Sequence, residues 1–430
     1  MTDTIYYTFI NINGADIFVG QLSISNTVNN HIITFKYSEE WLNSPLAFPL
    51  GNDLPLTNET FISHDLFSYF NYTLYTALND FSNNMLFVYL LRHHLLTKEE
   101  NIPAKYLYDA LQEGSWSFGS IYLYRKLKLI NDYTRMGALR FKLSKDGEFI
   151  SVLDKNLILT ENNIDEMSNI INRIINKREN KKDLEIVRAS MFGLKGRFPK
   201  FNVFDKNGNL CIAKIYDKDC KFLRANYKYE TFAIDLSRKC NNKPVDYRVV
   251  EQNGKTYLLI KRYDRDGENR LPTCSLKSLL QPFVPNDFKK ISDCIKFMCK
   301  NHKKNLELYY QRYLFRIAIS DYSEYTVNSE FVYDINSGFN VSPDLDLSVA
   351  PQNTKNFGIT KLQFKRRAKR ILKEALDNSI YFNVSKPHAK KMLKNIAIKL
   401  KNWKFEAKSY GFSDEEINKM LIFENILKLC

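Results

Sequence analysis

No run of 18 apolar residues occurs in this 430-residue chain, and its start, MTDTIYYTFINING, lacks a basic segment followed by an apolar one. Neither a membrane span nor a secretory leader is expected, and the sequence reads as cytoplasmic. Cysteine is sparse: Cys211, Cys220, Cys240, Cys274, Cys294, Cys299 and Cys430 are scattered, odd in number and free of any CxxC pair. A disulfide framework has no basis there, and with no histidines paired at ligand spacing neither has a zinc site. His93 and His94 are adjacent within a helical pattern and so point to different faces.

What is present describes a folded protein. Hydrophobic residues make up 44% and aromatics 14%, which excludes a disordered chain, and the length suggests two or three units each able to bury a core. The net charge of +15 is concentrated. Residues 361–408 hold twelve lysines and three arginines against Glu374, Asp377 and Glu406, or +12 in 48 residues. Such a region suits an acidic partner, nucleic acid or anionic protein, but a solvated face of long helices accounts for it equally, since no recognition motif accompanies it.

In chain order, IYYTFI, Asn13-Gly14 and ADIFVGQLSI have hairpin spacing, and HIITFKY supplies a third strand. Pro45, Pro49 and Pro55 then impose an extended path. Helical periodicity covers 66–96 and 101–113, and RMGALRFKLSKDGEFISV reads as strand, turn, strand. An amphipathic helix is expected over 162–180, from the spacing of Ile164, Met167, Ile170, Ile171, Ile174 and Ile175, with a charged linker KRENKKDLE after it.

The next stretch carries chemistry. A loop with Gly193 and Gly196 precedes a strand, an Asn-Gly turn and a strand in which Lys214 stands between Ala213 and Ile215. A helix with Glu230 follows, then YRVV and TYLLIKRYD joined by Asn253-Gly254. In a kinase small lobe, loop glycines admit backbone N–H groups to phosphates, and a strand lysine aimed by a helix carboxylate bridges phosphate oxygens. A lone strand lysine is more often a snorkelling surface residue. Further on, LFRIAISDYSEYTVNSEFVYDINSGFNVSPDLD places two loops rich in Asp, Asn and Ser either side of a short hairpin, donors suited to a hard cation held against phosphate, though loops are commonly made of those residues. After Ile359 three helical runs are expected, the last opening on a Ser413/Glu416 capping box.

Several of these stretches together resemble the HipA family, serine/threonine kinases that act as toxins in bacterial type II toxin–antitoxin pairs. FKYSEEWLNSPLAFPLGNDLPL resembles the family's leader domain, RMGALRF its Gly-Ala-Leu-Arg-Phe strand, GRFPKF its phosphate loop, CIAKI its lysine strand, LLIKRYDRD its hinge and VSPDLDL its late metal loop. The resemblance implies an α+β, HipA-like kinase fold: an N-terminal domain over 1–145, a small lobe over 146–265 and a helical large lobe over 266–430. It implies ATP and Mg2+ as cofactors, with Gly193, Gly196 and Lys200 at the phosphates, Lys214 oriented by Glu230, Lys261, Tyr263 and Asp264 at the hinge, and Asn328 and Asp346 at the metal. It also implies a translation-related protein substrate, an antitoxin partner, and DNA through that partner or the basic 361–408 region.

One departure stands out. Where the family's catalytic loop reads Asn-x-Asp-x-His-x-x-Asn, this chain reads Asp321-Tyr322-Ser323-Glu324-Tyr325-Thr326-Val327-Asn328. Ser323 falls at the catalytic aspartate, so Asp321 or Glu324 would have to serve in its place. A general base contributes about 100- to 10,000-fold, whereas phosphoryl transfer rests mainly on positioning and charge, so nucleotide binding can survive the loss. The sequence is therefore compatible with a weakened kinase, with a pseudokinase acting as a partner-binding module, and with a DNA-associated protein.

Overall fold

The computed structural model describes residues 4–26, 31–63, 132–150, 154–191, 194, 198–217, 223, 226–280, 287–321, 328–349 and 361–420. The helices expected over 66–96 and 101–113 lie outside the described residues. The chain divides into two compact units rather than three segments in series: Met1–Ala225 with Tyr247–Cys274, and Asn226–Asp246 with Ser275–Cys430. Residues 1–145 and most of the expected small lobe thus share one unit. The helix bearing Glu230 leaves the strands on either side of it and groups with the second.

The two larger sheets of the first unit are both antiparallel. Strands β1 (Thr4–Ile12), β2 (Ala15–Asn26), β3 (His31–Tyr37), β4 (Thr60–Ser63) and β5 (Leu139–Lys142) pair in the order β4-β3-β2-β1-β5. The β1–β2 turn falls at Asn13-Gly14, both at positive φ, as an Asn-Gly hairpin requires. Short helix α1 (Glu39–Leu42) buries Trp41. Beyond β5 the expected second strand is reduced to a single bridge between Lys142 and Phe149.

Helix α2 (Glu166–Ile175) buries Met167, Ile170, Ile171 and Ile174 of the face that the spacing predicted, with Ile164 buried just before it and Ile175 half-buried. Helix α3 (Lys181–Met191) occupies much of the segment expected to be a linker. Its charged first turn is fixed at both ends: Asn180 and Asp183 exchange backbone-to-side-chain hydrogen bonds, and Arg173 clasps the Asp183 carboxylate at 2.7 and 2.8 Å. Both helices cover one face of the second sheet, formed by β6 (Lys200–Phe204), β7 (Leu210–Tyr216), β8 (Tyr247–Gln252) and β9 (Lys255–Lys261) in the order β6-β7-β9-β8. Because side chains alternate along a strand, Phe201, Val203, Cys211, Ala213, Ile215, Tyr257 and Leu259 enter the core with α2 and α3. The intervening residues, Lys200 and Lys214 among them, face the other way.

A buried ion cluster joins the two sheets' segments. The Asp264 carboxylate accepts from Arg262 Nε (2.8 Å) and Nη2 (2.6 Å), from Arg265 Nη1 (2.7 Å) and from the Gly137 N–H (2.8 Å). Arg262 also donates to the Thr134 carbonyl and Asn202 Oδ1, and Arg265 to the Arg135 carbonyl. RMGALRF and LLIKRYDRD, more than a hundred residues apart, are therefore neighbours. Gly137 has φ +72°, and a Cβ there would lie 2.7 Å from Thr273 Oγ1, so the close approach needs glycine.

The second unit is mostly helical: α4 (Lys228–Lys239), α5 (Leu276–Leu279), α6 (Phe288–Met298), α7 (His302–Ala318), α8 (Lys361–Asp377), α9 (Lys386–Leu400), α10 (Trp403–Ser409) and α11 (Asp414–Lys419), with a hairpin of Glu330–Asp334 and Gly338–Val341. The expected capping box opens α11, with Ser413 Oγ accepting from Glu416 N–H. Among the described residues no helix is long and apolar enough to cross a membrane.

Replacing Asp264 by Ala would leave two buried guanidinium groups without their shared counter-charge, so an unfolding free energy lower by about 3–5 kcal/mol is expected in urea titration. Burial alone would raise the Asp264 pKa, but Arg262 and Arg265 outweigh it and hold the carboxyl well below its usual range. Its contribution is then complete above the unfolded value of about 3.9 and is lost as pH falls through the lower folded value. The Ala variant should lack that part of the acid sensitivity; a loss below about 1 kcal/mol would assign the cluster little weight.

Candidate active site

The first unit contributes a lysine-bearing sheet face and a hinge. In β6–β7, Lys200 pairs directly with Lys214, and Lys214 with Leu258 of β9 on its other side. Residues directly opposed in an antiparallel pair project to the same face, so two lysine stems stand side by side there, both buried. Gly193 and Gly196 lie outside the described residues. At the hinge, β9 ends at Lys261, which is exposed, and Arg262 turns into the Asp264 cluster. Tyr263 is half-buried, with its hydroxyl enclosed and, among the described residues, without a hydrogen-bond partner. Asp264 is fully buried and engaged by Arg262, Arg265 and Gly137, so it holds the hinge to residues 132–137.

The second unit contributes the acidic loops. Glu230 is buried in the first turn of α4. Lys214 and Glu230, expected as a pair, thus belong to different units. Two arginines one turn apart on α7 anchor the loops. Arg312 donates to the carbonyls of Asn242 (2.7 Å), Lys243 (3.2 Å) and Ser342 (2.6 Å). Arg316 donates to Asp321 Oδ2 and Asp344 Oδ1, both at 2.8 Å, and to the Leu345 carbonyl. Residues 243–245 and Asp344 run side by side, with Asp344 N–H donating to the Lys243 carbonyl and Val245 N–H to that of Asp344.

Asn328 is half-buried directly before the hairpin, and Asp346 half-buried after it at φ +53°. Ser323 and Glu324 lie outside the described residues. Among the described residues no group of three or more His, Cys, Asp or Glu could hold a metal ion. An amide and a carboxylate oxygen nevertheless fit Mg2+, which is usually bound by one or two carboxylates, with waters and substrate phosphates completing its shell. Sequence reasoning missed Arg312 and Arg316 as loop anchors; their four-residue spacing on a helix running into an acidic loop was the available signal.

A sheet with helices on one face and opposed lysines on the other, followed by a helical unit with two acidic loops about a hairpin, defines an α+β protein of HipA-like kinase architecture. The family model described as HipA-like C-terminal domain matches residues 192–403. The chain is similar in fold to HipA in the complex of the Shewanella oneidensis MR-1 toxin–antitoxin system HipA, HipB and its operator DNA. That match has a TM-score of 0.58 at 16% identity and covers 96% of this chain and 94% of the other. No curated protein matches. The family-model match over 192–403 and the likeness in fold support a HipA family protein.

Arg312→Met should destabilise the second unit by about 2–4 kcal/mol, because three carbonyls lose a charged donor and the buried ones gain no replacement. Lysine at the same position, able to reach one or two of them, should recover part of the loss in thermal melts. Equal stability of all three proteins would show that the anchor contributes nothing.

Proposed function

We propose that this protein binds ATP with magnesium in the manner of a HipA-type serine/threonine kinase and transfers phosphoryl groups slowly. The observation behind the reading is the direct opposition of Lys200 and Lys214 on the sheet face away from the core. Two lysine ammonium groups placed side by side are able to engage the oxygens of one polyphosphate together. In this reading Gly193 and Gly196 admit backbone N–H groups to the phosphates, Lys214 meets phosphate oxygens and Glu230 orients it. Lys261 and Tyr263 flank the adenine, and the enclosed Tyr263 hydroxyl has a hydrogen bond to offer there. Asp264 acts by fixing the hinge. Asn328 and Asp346 hold the magnesium, which neutralises phosphate charge when bound.

Slow transfer follows from Ser323 at the base position. A second reading, a pseudokinase that uses bound nucleotide to shape a partner surface, is favoured by the engagement of Asp321 with Arg316, which occupies a carboxylate otherwise near enough to substitute. Partners are proposed on the likeness to HipA, seen with HipB and operator DNA: an antitoxin, a protein substrate, and DNA through the antitoxin or the basic region. In the latter, Lys390, Lys391, Lys394, Lys401, Lys404 and Lys408 are exposed on α9, α10 and the turn between them, which is equally the pattern of a solvated face.

MgATP at 100 times its dissociation constant should stabilise the folded protein by about 2.7 kcal/mol, read as a rise in melting temperature. Lys214→Met and Asp346→Ala should each remove most of it. No rise in the wild type, even at millimolar MgATP, would end the nucleotide reading.

Radiolabel transfer from ATP to the protein itself and to candidate substrates tests the catalytic loop. Ser323→Asp should raise the rate by up to about 100- to 10,000-fold by supplying the missing base. A pseudokinase would gain little. Fast wild-type transfer that Glu324→Gln abolishes would place the base at Glu324 instead.

A further inference from the structure

Within the second unit, one guanidinium ties the start of the loop that would hold the base to the start of the loop that would hold the metal. Arg316, almost wholly buried, divides its donors between Asp321 Oδ2 on one side and Asp344 Oδ1 with the Leu345 carbonyl on the other. Asp321 Oδ2 also accepts from the Ser348 N–H at 3.3 Å. The partners of this one cluster therefore bracket Asp346 on both sides, at 344–345 and at 348.

The backbone around the cluster is held in unusual conformations. Ser320, immediately before Asp321, has φ +57°, and Asp346 has φ +53°. Residues with a side chain persist there only where their surroundings over-determine them. The Arg316 cluster supplies such surroundings for both loops at once.

We propose that Arg316 is a positioning residue coupling the catalytic loop to the metal loop, and that Asp321 acts through it rather than as the base. The proposal rests on the nucleotide–magnesium reading above. A base must present a free lone pair to the substrate hydroxyl at hydrogen-bond distance. The Asp321 oxygen that meets Arg316 is shared with the Ser348 amide and aimed at the metal loop. In this arrangement Asp321 is part of the support for Asp346, and a carboxylate two residues ahead of Ser323 does not replace the missing aspartate.

Asp321→Asn is the informative variant. Asparagine keeps a side-chain oxygen able to accept from Arg316 and leaves the Arg316–Asp344 pair in place, so the fold should be retained. Removing the charge of Arg316 would instead leave two buried carboxylates facing each other, so Arg316→Lys is the conservative companion. Calorimetry of ATP binding, with Mg2+ and separately in EDTA, gives a readout other than turnover.

The expected result for Asp321→Asn is a Mg2+-dependent affinity weaker by about tenfold, the scale seen when an outer-shell partner of a metal ligand is lost. Binding in EDTA should be unchanged, and transfer at saturating MgATP should fall by no more than about tenfold. Arg316→Lys should fall between the two proteins. Unchanged MgATP affinity with transfer reduced by about 100-fold or more would make Asp321 the base and overturn the proposal. A lower melting temperature with unchanged Mg2+ dependence would overturn it too, leaving Arg316 a purely structural brace. Absence of Mg2+-dependent ATP binding in the wild type would be a separate outcome: it defeats the nucleotide reading itself, and the coupling with it.

Discussion

Asp264 has no access to water, and a carboxylate in that state persists only if positive charge and hydrogen-bond donors surround it. Arg262 and Arg265 supply the charge, and both in turn need acceptors for their remaining N–H groups. The carbonyls of Thr134 and Arg135 provide them. One buried charge thereby dictates where residues 132–137 must run, and β5 continues directly from that segment to pair with β1. The five-stranded and four-stranded sheets of the first unit are held in one body by this requirement as much as by apolar packing.

The second unit meets the same requirement with the signs reversed. Arg312 and Arg316 are buried cations one turn apart on α7, and their acceptors are loop carbonyls and the carboxylates of Asp321 and Asp344. Loops normally lie at the surface because their backbone polar groups need water. A guanidinium with five donors can replace that water for several carbonyls together, which lets the two acidic loops approach a packed core. The helix with Glu230 is fastened here as well: Tyr229 stacks on Phe412, Phe232 packs against Tyr410 and Phe412, and the Tyr410 hydroxyl donates to Asp235 at 2.6 Å. Val349 N–H, three residues past Asp346, donates to the Tyr229 carbonyl. Glu230 therefore shares a unit with the loop of Asp346 rather than with Lys214.

Much of this was legible wherever the signal is local. Asn-Gly turns fixed the β1–β2 and β8–β9 hairpins, the isoleucine period fixed the buried face of α2, and the Ser413/Glu416 box fixed the start of α11. Helix α3 was not legible, because its first turn is charged and its apolar residues, Leu184, Val187 and Met191, begin only after it. What makes that turn helical is Arg173, a residue on another helix. The Asp264 and Arg316 clusters were hidden for the same reason. Guanidinium hydrogen bonds to carbonyls 128 and 130 residues away leave no periodicity, and RYDRD reads as an ordinary charged turn until its partners are known. The grouping of Glu230 with the second unit depends on aromatic contacts made by residues 410 and 412, far along the chain.

The groups that would bind a polyphosphate and the group that would move a proton are separable in this architecture. Opposed lysines on one sheet, a hinge locked by Asp264, and an acidic loop braced by Arg316 are distributed over many residues whose burial makes each part of the fold. Altering any of them would disturb packing and buried charge together. The proton acceptor, by contrast, is one side chain at one loop position. In the proposed reading, the hydroxyl of Ser323 in place of a carboxylate removes a proton acceptor and leaves untouched the charges that would set nucleotide affinity. In that reading, a chain of this build would lose catalytic rate by a single residue while the opposed Lys200 and Lys214 stay in place.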